Sequence, residues 1–301
     1  MLLAGNERKR TTVRDILLII YLFLGGASAG AFLVVSCWSL VFYNARAPKG
    51  RHIVRAFSAL QGRAYLFALV LMGVSVICLL GDLGVPERAL LLFTKPHFTL
   101  ITLGAYCLAA QLVVGCVLVA SHTFGFIRPG KMARQALDVV CAVLSLVIMA
   151  YTGAFLSTNP VPFWSSFALI PLFTLSSLSA GITLVLLVDW VTRGQVILLR
   201  AARPLQKAHL ACLVAEAIAL AGFTWSTLND PGAATSTTML FESPMLANAL
   251  VGVVGMGLIV PLCAEVFSLS QTDVRNTPAA DAVCLLGAFM LRYVIVSCGM
   301  A

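Results

Sequence analysis

LGGASAGAFLV (residues 24–34) lies inside the first long apolar run of the chain, and it has a near copy in LSSLSAGITLV (residues 175–185). Both segments carry Ser-Ala-Gly, followed three residues later by Leu-Val, and their starting positions, 24 and 175, are half of the 301-residue chain apart. Small residues at this spacing let two helix backbones approach closely. The copies are separated by an even number of apolar runs, which predicts a parallel internal duplication.

The composition indicates that the chain lies in a lipid bilayer. Hydrophobic residues make up 60% of the chain and charged residues 11%, and the mean hydropathy is +0.98. A span of about 30 Å of hydrocarbon needs roughly 20 apolar residues in a helix. Runs of this length occur near residues 16–42, 57–80, 98–121, 137–157, 165–190, 208–228, 246–270 and 281–299. We therefore predict an all-α integral membrane protein with eight transmembrane helices, arranged as two four-helix bundles.

The duplication divides the chain into four parts. These are a basic N-terminal tail (residues 1–15), a first four-helix bundle (16–157), a connecting loop (158–164) and a second four-helix bundle (165–301). The first apolar run is too long for a signal peptide, so we expect it to stay as a helix. The interhelical segments are short, and we expect water-side chemistry to come from a partner.

Cysteines and histidines indicate which cofactors the chain can hold. The nine cysteines lie singly in predicted helices without CxxC spacing, so we expect core residues and neither an iron–sulfur cluster nor a metal site. A di-haem anchor needs paired histidines within helices. His52, His122 and His209 are predicted at one set of helix ends and His97 at the other, so we expect no haem.

Basic residues separate the two faces of the predicted bundle. Cytoplasmic loops carry an excess of Lys and Arg. The connections after the first, third, fifth and seventh helices hold twelve basic residues, whereas the other face holds six, four of them in the N-terminal tail. We therefore predict a multi-pass protein of the inner membrane, with both termini on the periplasmic or extracellular side.

The charge-poor outer face collects several unusual polar residues. Asp82 and Arg88 flank a Gly-Pro turn in GDLGVPER (81–88), and His97 follows in KPHF (95–98). Tyr151 lies in YTGAFLS (151–157), and Trp164 ends PVPFW (160–164). An Asp82–Arg88 ion pair and interfacial anchoring by the aromatic residues explain them without any ligand.

Glu216, Glu265 and Arg292 lie within predicted spans, where a charge is a functional candidate by default. They form either a proton path to the outer face or an ion pair in which Arg292 and a glutamate clamp the second bundle. We favour the clamp, because buried charges are usually paired.

Several motifs together resemble the NrfD-type membrane subunits, including that of polysulfide reductase. They are YLFLGGASAG (21–30), GDLGVPER (81–88), KPHFT (95–99), YTGAFLS (151–157) and PVPFWSSFALIPLFTLSSLSAG (160–181). The resemblance covers about residues 16–190, and the last third matches only as hydrophobic helices.

The resemblance implies a membrane anchor that exchanges electrons with menaquinol or ubiquinol, as in anaerobic respiration. It implies an outer-face partner with iron–sulfur clusters, ferredoxin-like, and through it a molybdopterin catalytic subunit. By motif, Tyr151 would hydrogen-bond one quinone oxygen, and Asp82 would accept or relay a proton while Arg88 holds it ionised. His97 and Trp164 would lie beside them, and Tyr21 stands where some relatives have a histidine.

Two other functions remain open from the sequence. A secondary transporter also has duplicated bundles with buried charges, but its substrate site would lie near the midplane. A purely structural anchor would bind the same partner without quinone chemistry.

Overall fold

The structure, a computed structural model, describes residues 2–44, 51–83, 99–124, 130–191, 199–270 and 278–300. For residues 2–15, for Asp82 and Leu83, and for a few other helix ends, it describes the backbone alone. Everything below refers to these residues. They form helices and short turns, and no strand occurs among them.

Ten α-helices follow one another along the described part of the chain. Their bounds are α1 (Leu2–Asn44), α2 (Arg51–Leu83), α3 (Leu100–Val119), α4 (Lys131–Ser157), α5 (Leu169–Val191), α6 (Leu199–Leu228), α7 (Ala234–Phe241), α8 (Ser243–Ala247), α9 (Val260–Ser270) and α10 (Pro278–Gly299). Two 3-10 turns, Pro162–Trp164 and Pro231–Ala233, and two π-helical segments, Ala120–Phe124 and Asn248–Ile259, lie between them.

Eight of these stretches are long and apolar enough to cross a membrane. They are α1 from Ile16 onward, α2, α3 with its π-helical end, α4, α5, α6, the seventh span (Pro244–Ser270, composed of α8, the π segment and α9) and α10. The prediction of an all-α membrane fold with eight spans is confirmed. The N-terminal 15 residues, predicted as a tail, continue α1 as helix from Leu2.

The successive spans run in alternating directions, which defines two faces. The N-terminal face holds the start of the α1 span and the ends of α2, α4, α6 and α10, and the opposite face holds their other ends. Contacts across the fold agree with this assignment. Trp164, just after α4, meets Ile295 and Gly299 near the end of α10, while Ser39 near the end of α1 meets Asp138 near the start of α4.

The two helices that carry the sequence repeat occupy the centre of the molecule. In α1 and α5, 72% of the most apolar 18-residue stretch is buried, against 28–50% of the corresponding stretch in the other spans. The reason is visible at Gly30 and Gly181, the matching residues of the two copies. A Cβ on Gly181 would lie 2.6 Å from the Cα of Gly30, so the backbones cross there without side chains between them.

The seventh span departs from regular α-helix over residues 248–259. Pro261 follows two residues after this segment, and a proline inside a helix removes one hydrogen bond and crowds the carbonyl four residues earlier. That carbonyl belongs to Gly257, inside the π segment, where the widened turns accommodate it. Gly257 also touches Gly287 of α10, so the irregular span still packs closely on its neighbour.

Candidate functional site

Two buried tyrosines from different helices face each other near the N-terminal face. Tyr21 of α1 is 2% exposed and Tyr151 of α4 is 6% exposed, and their hydroxyl groups interact. The Tyr21 hydroxyl nevertheless has no partner at hydrogen-bonding distance within the described part of the chain. A buried hydroxyl without a partner is costly, so this pair can hydrogen-bond a ligand.

The backbone of α1 is held on both sides at the level of Tyr21. The Ser75 hydroxyl of α2 donates to the carbonyl of Tyr21 at 3.2 Å, and Nε of Arg292 in α10 donates to the carbonyl of Leu22 at 3.2 Å. These bonds fix the position of the tyrosine from two helices.

The ring of Tyr151 is positioned by a glycine on α3. A Cβ on Gly104 would lie 2.5 Å from both Cε atoms of Tyr151, so the ring occupies the space that any larger residue would fill. Phe155 lies one turn along α4, with its ring centroid 6.0 Å from that of Tyr151. Tyr151 is therefore enclosed in the bundle, which differs from a belt residue facing the lipid headgroups.

The other predicted site residues of the first half lie at or beyond the end of α2. Asp82 is in its last turn, one residue after Gly81, whose Cβ position is 3.6 Å from Leu17 of α1. Leu17 precedes Tyr21 by about one helical turn, so the backbone of Asp82 lies near the tyrosine pair. The Asp82 side chain, Arg88 and His97 lie outside what the structure describes, and so does the Asp82–Arg88 ion pair.

Trp164 is tied to the last helix. Its indole N–H donates to the carbonyl of Ile295 at 2.9 Å, and its ring covers Gly299, where a Cβ would contact it. The side chain is 6% exposed. Because its single donor is already used, Trp164 has no hydrogen bond to offer a quinone oxygen.

The second half contains an apolar cavity of about 200 Å³ near the N-terminal face. Phe163, Leu220, Phe223 and Val294 are among its lining residues, and three threonines belong to its wall. The hydroxyls of Thr224, Thr227 and Thr237 donate hydrogen bonds to backbone carbonyls of their own helices. The cavity therefore offers little to orient a polar head group, unlike the tyrosine pair.

Arg292 lies completely buried at the crossing of α1, α5 and α10. Its guanidinium donates to the carbonyls of Leu22 (3.2 Å) and Ala288 (2.8 Å) and to the hydroxyls of Ser176 (3.2 Å) and Ser177 (2.8 Å). It thus joins the two halves of the molecule at the centre.

Glu216 of α6 is 6% exposed and interacts with Ser176 and with the charge of Arg292. Ser176 therefore stands between the two charged groups. The arrangement links Arg292 with a glutamate, as the clamp hypothesis expects, but through a shared serine and at the junction of the two halves.

Glu265 has a different partner, His209 of α6. The Oε1 atom of Glu265 lies 2.8 Å from Nδ1 of His209, and both residues are 1% exposed. The other ring nitrogen of His209 lies 3.1 Å from the Ser179 hydroxyl and 3.3 Å from that of Thr183. The expectation that His209 sits at a helix end near water was wrong, because α6 begins at Leu199 and carries His209 into the core.

The apolar run at residues 137–157 places Asp138 at the end of its span as an ordinary boundary residue near water, and that prediction is also wrong. It is 1% exposed and accepts hydrogen bonds from Ser39 (2.7 Å) and Tyr65 (3.0 Å). The helix α4 begins at Lys131, two turns before Asp138. Sequence reasoning missed the site because it started this span at residue 137, where the apolar run begins.

The fold and these sites define a multi-pass helical membrane protein with polar groups buried at several levels. A protein-family model described as "Polysulphide reductase, NrfD" matches residues 6–301, nearly the whole chain. The chain belongs to the NrfD family, as the sequence motifs indicated, and the match includes the last third. A search of curated proteins finds no match to this chain.

Proposed function

We propose that this chain is the quinol- or quinone-binding membrane subunit of a multisubunit oxidoreductase. The observation that carries the proposal is the Tyr21–Tyr151 pair, in which two buried phenols from different helices interact while the Tyr21 hydroxyl has no partner at hydrogen-bonding distance among the described residues. Membership of the NrfD family, whose members anchor redox partners that exchange electrons with quinones, supports it.

The chemistry of a quinol explains why such a pair is useful. Oxidation of a quinol removes two electrons and two protons, so each ring oxygen needs a hydrogen-bonding group and each proton needs an acceptor. In our proposal Tyr151 binds one quinone oxygen, with Tyr21 beside it. Asp82, at the end of α2, takes or relays a proton, and Arg88 keeps its carboxylate ionised until then.

The remaining predicted residues receive supporting roles. His97 contributes a polar group from the segment after α2, and Trp164 contributes a wall rather than a hydrogen bond, since its N–H is donated to Ile295. The substrate is menaquinone or ubiquinone. We propose that the chain itself carries no haem, iron–sulfur cluster or metal, so that electrons pass directly to a partner.

The partner in this proposal is a ferredoxin-like iron–sulfur subunit bound at the N-terminal face, which connects to a molybdopterin catalytic subunit. The tyrosine pair lies toward that face, so a cluster seated there would be the nearest redox centre. The loop charges favour placing this face in the periplasm and the membrane as the inner one.

The contacts of the buried charges in the second half favour the hypothesis of a structural clamp over that of a proton path. Arg292 is surrounded by four acceptors and Glu216 by Ser176 and Arg292, and Glu265 holds His209. All three charges therefore have partners that hold the helices together. A transporter would use buried charges of this kind to bind its substrate, and it remains the alternative together with a structural anchor.

The experiment is an anaerobic reduction of the intact complex. The chain is purified with its bound partners, a reduced menaquinone analogue is added, and the iron–sulfur absorbance is recorded. Bleaching that is lost in Tyr151→Phe and retained in Tyr106→Phe supports the proposal, since Tyr106 is 41% exposed on α3 and outside the pair. Clusters that quinol never bleaches, and that stay bleached when oxidised quinone is added after dithionite, indicate a structural anchor, and isolation without partners indicates a transporter.

A further inference from the structure

A second buried polar site lies in the first half, toward the opposite face and away from the tyrosine pair. Four helices contribute to it, and each of its side chains is at most 1% exposed. We call it the Asp138 cluster. Its members are Ser36, Ser39, Gln61, Tyr65, Gln111, Asp138, Cys141 and Ser145.

Hydrogen bonds connect one part of the cluster. Asp138 accepts from Ser39 at 2.7 Å and from Tyr65 at 3.0 Å, and the Tyr65 hydroxyl lies 3.1 Å from that of Ser36. On the far side, Nε2 of Gln111 donates to Ser145 and to Cys141, each at 3.2 Å.

The cluster also contains polar atoms that lack partners. Among the described residues, no partner lies at hydrogen-bonding distance from either amide atom of Gln61 or from Oε1 of Gln111, although both side chains are enclosed, and Gln61 interacts with the Tyr65 hydroxyl only beyond that distance. Native proteins rarely leave buried polar atoms unpaired. Buried polar groups of this kind are commonly satisfied by internal water, which needs two to four polar neighbours.

An opening reaches the cluster from the opposite face. A cavity of about 290 Å³ is lined by Ser39, Tyr43, Arg134, Gln135 and Asp138, together with Leu40 and Lys131. Ser39 and Asp138 belong to both the cavity and the cluster. Asp138 therefore lies between this cavity and the buried hydroxyls of Tyr65 and Ser36.

The polar region extends along the bundle as far as Gln111 and Ser145. Phe32 is fully buried and its ring stacks on Tyr65 with centroids 5.9 Å apart. Phe32 and Leu69 both approach Gly115 of α3, which is one turn closer to the opposite face than Gln111, so these apolar side chains form a wall beside the cluster. From Ser36 to Tyr21 the chain rises about 22 Å along α1, which separates the cluster from the tyrosine pair.

We propose that the Asp138 cluster is a water-filled inlet, ending at Gln111 and Ser145, in which Asp138 exchanges protons with the solution at the opposite face. The ligand is water together with the proton it carries. The carboxylate provides the exchangeable group, and the unpaired amide atoms of Gln61 and Gln111 hold the water. This inference is independent of quinone binding and of the buried charges in the second half.

Other titratable groups face Asp138 and affect its response to pH. Arg134 lies one turn before it on α4 and contacts the ring nitrogens of His122, at 2.8 and 3.2 Å. The set from all four helices is Cys37, Tyr65, His122, Lys131, Arg134 and Cys141.

Hydroxyl-radical footprinting in ¹⁸O-labelled water tests whether the inlet is hydrated. Tyr65 and Cys141 react readily with radicals made in neighbouring water, as do Met72 and Met149, and all four are fully buried. We expect modification of Tyr65 and Cys141, and none of Met72 and Met149, which lie outside the cluster. Equal protection of all four residues would overturn the proposal.

Substitution of Gln61 tests whether the labelling of Tyr65 depends on the amide group of Gln61. Gln61→Leu removes both atoms at similar volume, and we expect the modification of Tyr65 to fall to the level of Met149. Ser75→Ala, in the same helix but beside Tyr21, is the control and leaves Tyr65 labelled. If Gln61→Leu does not fold, the comparison of the four buried residues in the unsubstituted protein still tests whether the inlet is hydrated.

A hydrophobic carbodiimide, which modifies protonated carboxyl groups, tests proton exchange at Asp138. We expect modification of Asp138, read by mass spectrometry, to decrease as the pH rises and to be unaffected by sodium at constant pH. Protection by sodium would indicate that Asp138 binds a metal cation in place of a proton, and this result would overturn the proposal. A failure of modification at every pH would also contradict it.

Discussion

At the scale of single residues, the geometry of the tyrosine pair depends on a glycine of α3 as well as on the two tyrosines. In the part of the chain that the structure describes, the buried hydroxyl of Tyr21 has no partner at hydrogen-bonding distance, and leaving such a group unpaired costs about 1–3 kcal/mol. A ligand oxygen at this position would recover part of that cost. The ring of Tyr151 reaches its place only because α3 has a glycine at residue 104.

Gly104→Ala should therefore disturb the proposed site without touching any ligand. The added methyl group would displace the ring of Tyr151, and overpacking of this kind costs about 1–3 kcal/mol. We expect lower quinol oxidation in the complex, with the protein still assembled. Gly73→Ala is the control, because a Cβ at Gly73 meets nothing within 4 Å. Equal turnover in both variants would show that the position of Tyr151 is unimportant.

The fully buried charge of Arg292 depends on neighbouring groups for its stabilisation. Arg292→Gln leaves Glu216 buried without the opposite charge, and breaking a buried charge pair costs about 3–5 kcal/mol. We expect a marked fall in the thermal stability of the purified protein. In the double variant with Glu216→Gln, part of the loss should return. If the double variant is no more stable than the single one, Glu216 does not balance Arg292.

At the scale of helices, the close crossing of α1 and α5 organises the molecule. Gly181→Ala would place a methyl group 2.5 Å from the backbone nitrogen of Ala31, forcing the two central helices apart. We expect a lower yield of folded protein and a loss of about 1–3 kcal/mol. Gly222→Ala in α6, where a Cβ meets nothing within 4 Å, should leave the yield unchanged. A normal yield from Gly181→Ala would mean that the crossing tolerates separation.

The segment between α4 and α5 is fixed by one side chain. Trp164→Phe keeps an aromatic ring against Gly299 but loses the hydrogen bond to Ile295, which is worth about 1 kcal/mol. We expect a small decrease in melting temperature and normal quinol oxidation. A large fall in turnover with unchanged stability would instead assign Trp164 a direct part in binding.

The helices themselves were predictable, whereas the depth of several polar residues was not. Hydropathy locates eight spans, because each must cover the same hydrocarbon thickness. It does not show that α6 continues back through Pro204 to Leu199, or that α4 starts at Lys131. Because these first turns contain basic residues, the apolar runs begin later than the helices do, so His209 and Asp138 were placed near water. Their burial follows from packing between helices, which no local pattern encodes.

At the scale of the whole molecule, the orientation in the membrane is testable with a reagent that cannot cross it. Asn229→Cys introduces a thiol in the exposed connection after α6 at the N-terminal face, and Lys131→Cys introduces one at the exposed start of α4 on the opposite face. In intact cells, we expect an impermeant maleimide to label the first above the unsubstituted background. The second should be labelled only after lysis. The reverse pattern would place the N-terminal face in the cytoplasm.

The role of the second half can be separated from that of the first by proton measurements. With the complex in proteoliposomes, Glu265→Gln removes a charge while keeping an acceptor for His209. Under the clamp hypothesis, we expect quinol oxidation and proton release per turnover to remain normal. A folded variant with normal oxidation but lost proton movement would instead support a path through Glu265.

The family and the eight-span architecture were both evident from the sequence, because the motifs cluster near helix ends and the apolar runs are distinct. The duplication remains a prediction. The contact between Gly30 and Gly181 supports it, since equivalent residues of two copies meet where an axis of internal symmetry would pass. One hydrophobic core nevertheless extends through both halves, which the division into two bundles did not anticipate.

The central claim, that Tyr21 and Tyr151 bind a quinone, is tested most directly by equilibrium titration of the purified complex with a fluorescent quinol analogue. Tyr21→Phe and Tyr151→Phe each remove one hydroxyl, and loss of a hydrogen bond of about 1 kcal/mol corresponds to roughly a fivefold weaker Kd. We predict this weakening in both variants and an unchanged Kd in Tyr106→Phe. Binding as tight as that of the unsubstituted complex in both variants would contradict the assignment of the quinone site to this pair.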